Sequence, residues 1–274
     1  MTLVSPAASR PRVRGVVALV RVGALTPWSY RTSSLLTLVL LGVQIALYTV
    51  VWRAIYGTDG VVVAGADVDT TVGYAILGLT LASVVHTWPG HSIESRVRDG
   101  LIGIDLTRPL GLLGQNLAMQ TGTVIAALPG VAVGLTVGLL LGGLQPPADP
   151  VAGSAFAISL ILGFAVAQLI TLLMSLSSFW TLEVGGLGMT FSVVRTFFSG
   201  AIVPLWFMPG WLQGIAAALP FQATTFTPLS IYFGRPPGGL AVALLVQLGW
   251  VLVLTALCVL VWSRARHRVV VQGG

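Results

Sequence analysis

Long apolar runs separated by short polar breaks dominate this 274-residue chain. A helix needs about 20 apolar residues to cross the hydrocarbon core of a bilayer. Six segments meet that length: 34–54, 68–88, 115–142, 151–178, 184–206 and 240–262. Ahead of the first, "RVRGVVALVRVGALTPW" (12–28) sets Arg14 and Arg21 seven residues apart on one helix face, with Val16, Val17, Leu19 and Val20 elsewhere. That pattern suits an amphipathic helix lying in the membrane interface and closed by Pro27 and Trp28; the competing reading is a disordered basic tail. The stretch "FFSGAIVPLWFMPGWLQGIAAALPF" (197–221) follows neither scheme. It is too apolar for a soluble loop, and Ser-Gly, Pro204, Pro209-Gly210 and Pro220 break it too often for one straight helix.

Composition agrees with a membrane location: 55% of residues are hydrophobic and 8% charged, against about 25% charged in a soluble domain. The expectation is an all-α integral membrane protein forming one domain over 1–274. Its parts are a terminal region with an interfacial helix (1–32), a six-helix membrane domain (34–262) and a tail (263–274). No polar stretch is long enough to fold separately, and no cleavable signal peptide is expected.

Charge then orients the spans. All fourteen basic residues are Arg. They gather before the first span (Arg10, Arg12, Arg14, Arg21, Arg31), between the second and third (Arg96, Arg98, Arg108) and after the sixth (Arg264, Arg266, Arg268). The opposite loops carry Asp59, Asp67, Asp69 and Asp149, with Arg53 at an edge and Arg235 in the last. Positive-inside placement puts both termini and the 89–110 loop in the cytoplasm. The basic balance therefore reports membrane orientation rather than nucleic-acid binding. Without a single Lys the chain cannot build a standard P-loop, so it binds no ATP by that route. One cysteine, Cys258, excludes an internal disulfide, and three scattered histidines suggest no metal site.

Several positions inside the spans carry information. Gly130, Gly134, Gly138 and Gly142 fall at fourfold spacing and should let another helix approach closely, on a helix that Pro129 kinks. Polar faces run along Gln168, Thr171, Ser175 and Ser178, and along Ser192, Arg195, Thr196 and Ser199. Interhelical hydrogen bonding is the commoner use of such faces; a polar path is the other. Arg195 lies near the middle of its span, where a charge costs at least about 2.5–3.5 kcal/mol, so it should face protein or water. Glu183 is twelve residues away, about 18 Å along a helix, and makes no partner for it. No carboxylate lies deep within a span, with Asp69 and Glu183 only at span ends, which disfavours a proton-coupled carrier. No Ser-His-Asp set or carboxylate pair converges, so covalent chemistry has little support.

Two segments point toward partners. In "PGHSIESRVRDGLIGIDLTRPL" (89–110), Ser92 can cap a short helix, Glu94 and Arg98 make an i, i+4 pair, and Ile93, Val97 and Leu101 form an apolar stripe. Gly100 can stop that helix. The result is a small amphipathic knob just outside the membrane. The second segment is the broken run, in which Trp206, Phe207 and Trp211 suit an interface and the restart after Pro209 suits a re-entrant pair. Irregular backbone at that depth persists only where protein buries it.

Taken together, the interfacial helix, six spans, the loop between spans two and three, and "SGAIVPLWFMPGWLQGIAAALPFQATTFTPLSIYFG" (199–234) resemble the ABC-2 type permeases, membrane subunits of ATP-driven exporters. "GLIGIDLTRPL" (100–110) is similar to the subgroup of daunorubicin-type exporter permeases. The resemblance implies that Ile93, Glu94, Val97, Arg98, Asp99 and Leu101 form a coupling helix on a separate nucleotide-binding subunit. It implies an extracellular re-entrant gate at Pro204, Pro209, Gly210, Trp211 and Pro220. Phe191, Arg195 and Phe198 are candidates for the path lining, with an amphipathic or lipid-like substrate. Implied too are a bacterial plasma-membrane location and a second permease, a related chain or an identical copy. ATP and Mg would sit on the partner subunit, with no cofactor on this chain. Glu94 and Gly100 also echo the E-A-A-x-x-x-G loop of ABC importers, but Ser95 and Arg96 replace its alanines and the loop lies far from the C-terminus. An importer permease and an ATP-independent carrier are the alternatives.

Overall fold

The computed structural model describes residues 9–57, 62, 65–85, 93–181 and 185–268. Eleven α-helices run through these residues: α1 (Ser9–Leu25), α2 (Arg31–Tyr56), α3 (Val68–Val85), α4 (Ile93–Arg98), α5 (Ile102–Leu106), α6 (Leu112–Leu140), α7 (Pro150–Ser177), α8 (Gly185–Phe198), α9 (Gly210–Ala217), α10 (Phe226–Tyr232) and α11 (Leu240–Ala265). Among them, five stretches are long and apolar enough to cross a bilayer: α2 together with most of α1, then α3, α6, α7 and α11.

Local chemistry sets several ends. Asp149 accepts a hydrogen bond from the Ala152 amide (2.7 Å) with Pro150 in the first turn, so α7 starts with a capped and proline-fixed N-terminus. Asp67 accepts from the Thr70 amide (3.1 Å) ahead of α3, and that bonding with Thr70 holds its carboxyl below the usual range. Between α1 and α2, Pro27–Tyr30 form a 3-10 turn where Pro27 breaks the helix.

Packing decides the arrangement. α3 is the most enclosed helix, with Val72, Tyr74, Ala75 and Ile76 buried among α2, α6 and α10. The glycine ridge of α6 makes that closeness possible: Gly134 lies against Thr80 and Gly138 against Ile76 of α3. The expected close helix approach is therefore observed, and its partner is α3. Gly142 instead leaves the helix with φ +63°. α1 packs against the first half of α6, where Gly23 meets Met119 and Gly122. α11 packs against α7. Large apolar side chains of α2 and α11, such as Leu40 and Leu245, point outward, as a hydrocarbon solvent requires.

The fifth expected span, 184–206, takes a different form. α8 has 14 residues, about 21 Å of helix, against about 30 Å of hydrocarbon. It ends at Ser199, whose hydroxyl turns back to the Thr196 carbonyl, and at Gly200 with φ +71°. Apolar composition continues past this point, but helical geometry does not. Glu183, the Ser92 cap, the second-span end beyond Val85 and the tail beyond Arg268 lie outside the described residues.

Candidate functional site

The loop between α3 and α6 folds as two short helices rather than one. Ile93 of α4 is 2% exposed and belongs to a core with Ile102, Leu112, Leu172, Leu176 and Cys258; Val97 packs on its edge. The stripe expected to face a partner thus turns partly inward, because burying it against the end of the bundle removes apolar surface from water within the chain itself. Ile93 and Val97 anchor the loop to its own membrane domain. The residues left outward are Arg98, Asp99 and Leu101, joined by Ile104 (57% exposed) and Leu106 (44% exposed) of α5. Ile104 and Leu106 are not part of the i, i+4 stripe visible in the sequence. Gly100, at φ +71°, ends α4 and turns the chain, so that Leu101 caps α5, which carries Ile104 and Leu106, instead of extending the α4 stripe. Glu94 is half-buried.

A buried carboxylate holds this pair of helices in place. The Asp105 side chain is 2% exposed. Arg96 of α4 donates to both of its oxygens, with Nη2 to Oδ1 at 2.6 Å, and Arg108 Nη1 lies 3.5 Å from Oδ1. Gln115 of α6 completes the knot: its amide donates to the Asp105 carbonyl (2.8 Å) and the Leu110 carbonyl (2.6 Å), and its oxygen accepts from Arg108 (3.3 Å). Among the described residues, ion pairs converge on Asp105 and none joins Glu94 to Arg98. Sequence reasoning missed Asp105. The available signal was an acid lying between two arginines in a loop next to the membrane, with no helical spacing to link Arg96 to it.

The broken segment closes on itself. The Ser199 carbonyl accepts from the Phe226 amide (2.9 Å), so the chain leaves α8 and returns beside the same point. Between them lie a 3-10 turn at Leu205–Phe207, α9 with Pro209 at its N-cap, and a second 3-10 turn at Pro220–Thr224. Tyr74 of α3 pins the exit, donating to the Gly200 carbonyl (2.8 Å) and meeting Trp206 edge-on at 4.8 Å. Gln247 of α11 pins the return: its amide donates to the carbonyls of Ala223 (2.8 Å) and Ser159 (3.1 Å), while its oxygen accepts from the Ser159 hydroxyl (2.7 Å). Irregular backbone in an apolar setting needs such donors. Pro204 is buried, whereas Pro209, Gly210 and Trp211 are exposed.

Phe191, Arg195 and Phe198 come together on the inner side of α8. Phe191 meets Phe221 at 5.6 Å, and Phe198 joins the packed aromatic residues near Tyr74. Arg195 is 6% exposed; Nη1 donates to Thr171 Oγ1 (3.1 Å), and Nε has no partner among the described residues. The hydroxyls of Thr171, Ser175 and Ser178 bond back to carbonyls of their own chain one turn earlier, so that face is largely self-satisfied.

A family model described as ABC-2 family transporter protein matches residues 38–273. The chain belongs to the ABC-2 transporter family. Comparison with curated proteins and with solved structures gives no match. As an ABC-2 family protein with five apolar membrane-length helices, it is a multi-pass membrane protein and the membrane component of an ABC transporter. ATP-binding subunits are its implied partners, and the match gives it no ATP-binding domain of its own. Within this ABC-2 family protein, the match takes in both the Asp105-held loop and the broken segment.

Proposed function

We propose that the chain is the permease subunit of an ABC exporter in a bacterial plasma membrane, paired with a second permease and driven by separate ATP-binding subunits that carry ATP and Mg. The observation that carries this reading is the pair α4–α5: a charged and apolar knob packed on the end of the helical bundle, with Asp105 tying its two helices together. A knob of that kind suits transmission of force, because a push on α5 reaches the base of α6 through Gln115. The contact surface on the ATPase comprises Arg98, Asp99, Leu101, Ile104 and Leu106, with Glu94 at its margin. ATP-driven closure of the partner subunits moves this knob and shifts the spans. The path between paired permeases then opens past the re-entrant turn at 204–220. Phe191, Arg195 and Phe198 border that path, and the apolar walls favour an amphipathic or lipid-like substrate. In this reading α8 and the returning segment together form the fifth membrane passage, giving six.

The test of the partner surface is co-purification in mild detergent with mass spectrometry. Wild-type chain should bring down a subunit bearing a P-loop, and a second permease if the pair is heteromeric. Ile104→Asp places a charge in a dry contact, and buried apolar anchors supply most interface energy, so capture should fall at least tenfold. Undiminished capture by Ile104→Asp would remove α5 from the interface.

Orientation is checked independently. Cys258 is buried and should stay silent to an impermeant maleimide. In intact cells Val62→Cys should label and Gly103→Cys should not, as both termini and the α4–α5 loop are assigned to the cytoplasm. The opposite pattern would invert the topology.

A further inference from the structure

Beside the broken segment lies a cavity of about 510 Å³. One wall is α9, which presents Gly210 and Gly214 one turn apart; a Cβ added to either meets no atom within 4 Å. The other walls are Trp206, Phe226, Gln222 and Arg235. The volume falls within the range of about 300–1,000 Å³ typical of small-molecule sites. The lining combines apolar surface with a few polar groups on one side, which is the usual make-up of such sites.

The polar groups define what fits. Gln222 is 9% exposed, and its side-chain amide joins no hydrogen bond among the described residues although it lines the cavity. The amide is therefore open to a group that enters the cavity. Gln213 uses its amide on the Met208 carbonyl (2.7 Å), which fixes that side chain against the wall. The Arg235 guanidinium stacks over the Trp206 ring, 4.9 Å from its centre, which fixes the position of the cation. No lining residue is acidic. The site thus offers an uncommitted amide and a positioned positive charge, beside apolar walls from Leu205 and Phe226.

We propose that this cavity binds the acidic head of an amphipathic molecule, a carboxylate or phosphate received by Gln222 and Arg235 with its apolar part along the glycine face of α9. The inference deepens the permease reading by naming a ligand class, and rests on it only for the role of the site in transport. A phospholipid of the surrounding leaflet and a free acidic amphiphile share this chemistry.

The experiment titrates the purified full-length chain, in an uncharged detergent, with oleate and with oleyl alcohol. Oleate should bind saturably at one site, and the alcohol at least tenfold more weakly, because it lacks the charge. Gly214→Leu fills the cavity from the wall and should abolish oleate binding. Gln222→Leu keeps the side chain's size, removes the amide, and should weaken oleate at least tenfold with an unchanged melting temperature. Native mass spectrometry of chain taken directly from membranes separates the sources. A phospholipid adduct lost in Gly214→Leu identifies the leaflet, and oleate binding without such an adduct identifies a free amphiphile. Equal binding of acid and alcohol, or wild-type oleate affinity in both variants, overturns the site. Because the isolated chain is used, a failure here leaves the ATPase capture result standing, and a failed capture leaves this site standing.

Discussion

Asp105→Ala should release α4 from α5 and uncouple the chain from its ATPase. The substitution leaves Arg96 without its acceptor at a place where the Asp105 side chain is 2% exposed, while Gln115 keeps its bond to the backbone carbonyl of residue 105. Breaking a buried ion pair costs about 3–5 kcal/mol, most of it the penalty of the stranded partner. Arg108 is more exposed, so its share is small. The effect should be local, since the side-chain partners of Asp105, Arg96 and Arg108, lie in the same loop. The readout is limited trypsin cleavage at Arg96 and Arg98 in the folded, detergent-solubilised chain: cleavage should accelerate at least tenfold, with ATPase capture falling in parallel. Asp105→Asn keeps one acceptor oxygen and should lie between. Unchanged cleavage and capture in Asp105→Ala would show that core burial of Ile93 and Ile102, with the Gln115 bonds to the backbone, suffices to hold the knob.

Gly134→Ala should destabilise the membrane domain far more than its single methyl suggests. The new Cβ would lie 2.8 Å from Thr80 Cγ2 and closer still to the Thr80 hydroxyl, which is itself tied to the Ile76 carbonyl at 2.7 Å. Neither helix can retreat easily, because α3 is enclosed on several sides and α6 also carries α1. Overpacking of this kind costs about 1–3 kcal/mol, even though alanine is the better helix former. Gly249→Ala on α11, where an added Cβ meets nothing within 4 Å, is the matched control. Thermal unfolding in detergent should show a clear fall in midpoint for Gly134→Ala and none for Gly249→Ala. Equal midpoints would mean that the two helices separate more readily than their contact implies.

The long apolar elements were legible because hydrophobic length is a local property. The expected spans 34–54, 115–142, 151–178 and 240–262 correspond to Arg31–Tyr56, Leu112–Leu140, Pro150–Ser177 and Leu240–Ala265. The second also starts where expected, at Val68. The fifth did not keep its length, since composition cannot distinguish an apolar helix from an apolar coil. The turn at Gly200 and the Tyr74 bond to its carbonyl decide that. Arg195 was identifiable as a residue needing shelter, but not its partner: Thr171 is twenty-four residues away on another helix.

By itself, the sequence determined that this chain lives in a membrane as a bundle of apolar helices, that its glycine ridge admits a neighbour, and that its loop at 89–110 and segment at 197–221 are special. Each of these depends on residue type and spacing along one helix or one turn. Only the tertiary structure decided which side of the α4 stripe is used, that Asp105 rather than Glu94 collects the arginines, and that Gln222 and Arg235 share a cavity. Those outcomes depend on which distant surfaces meet. Ile93 turns inward because α7 offers an apolar surface there, and Asp105 is buried because Arg96 and Gln115 arrive from different helices to satisfy it. Burial and hydrogen-bond satisfaction are properties of the assembled bundle, and no local pattern along the chain encodes them alone.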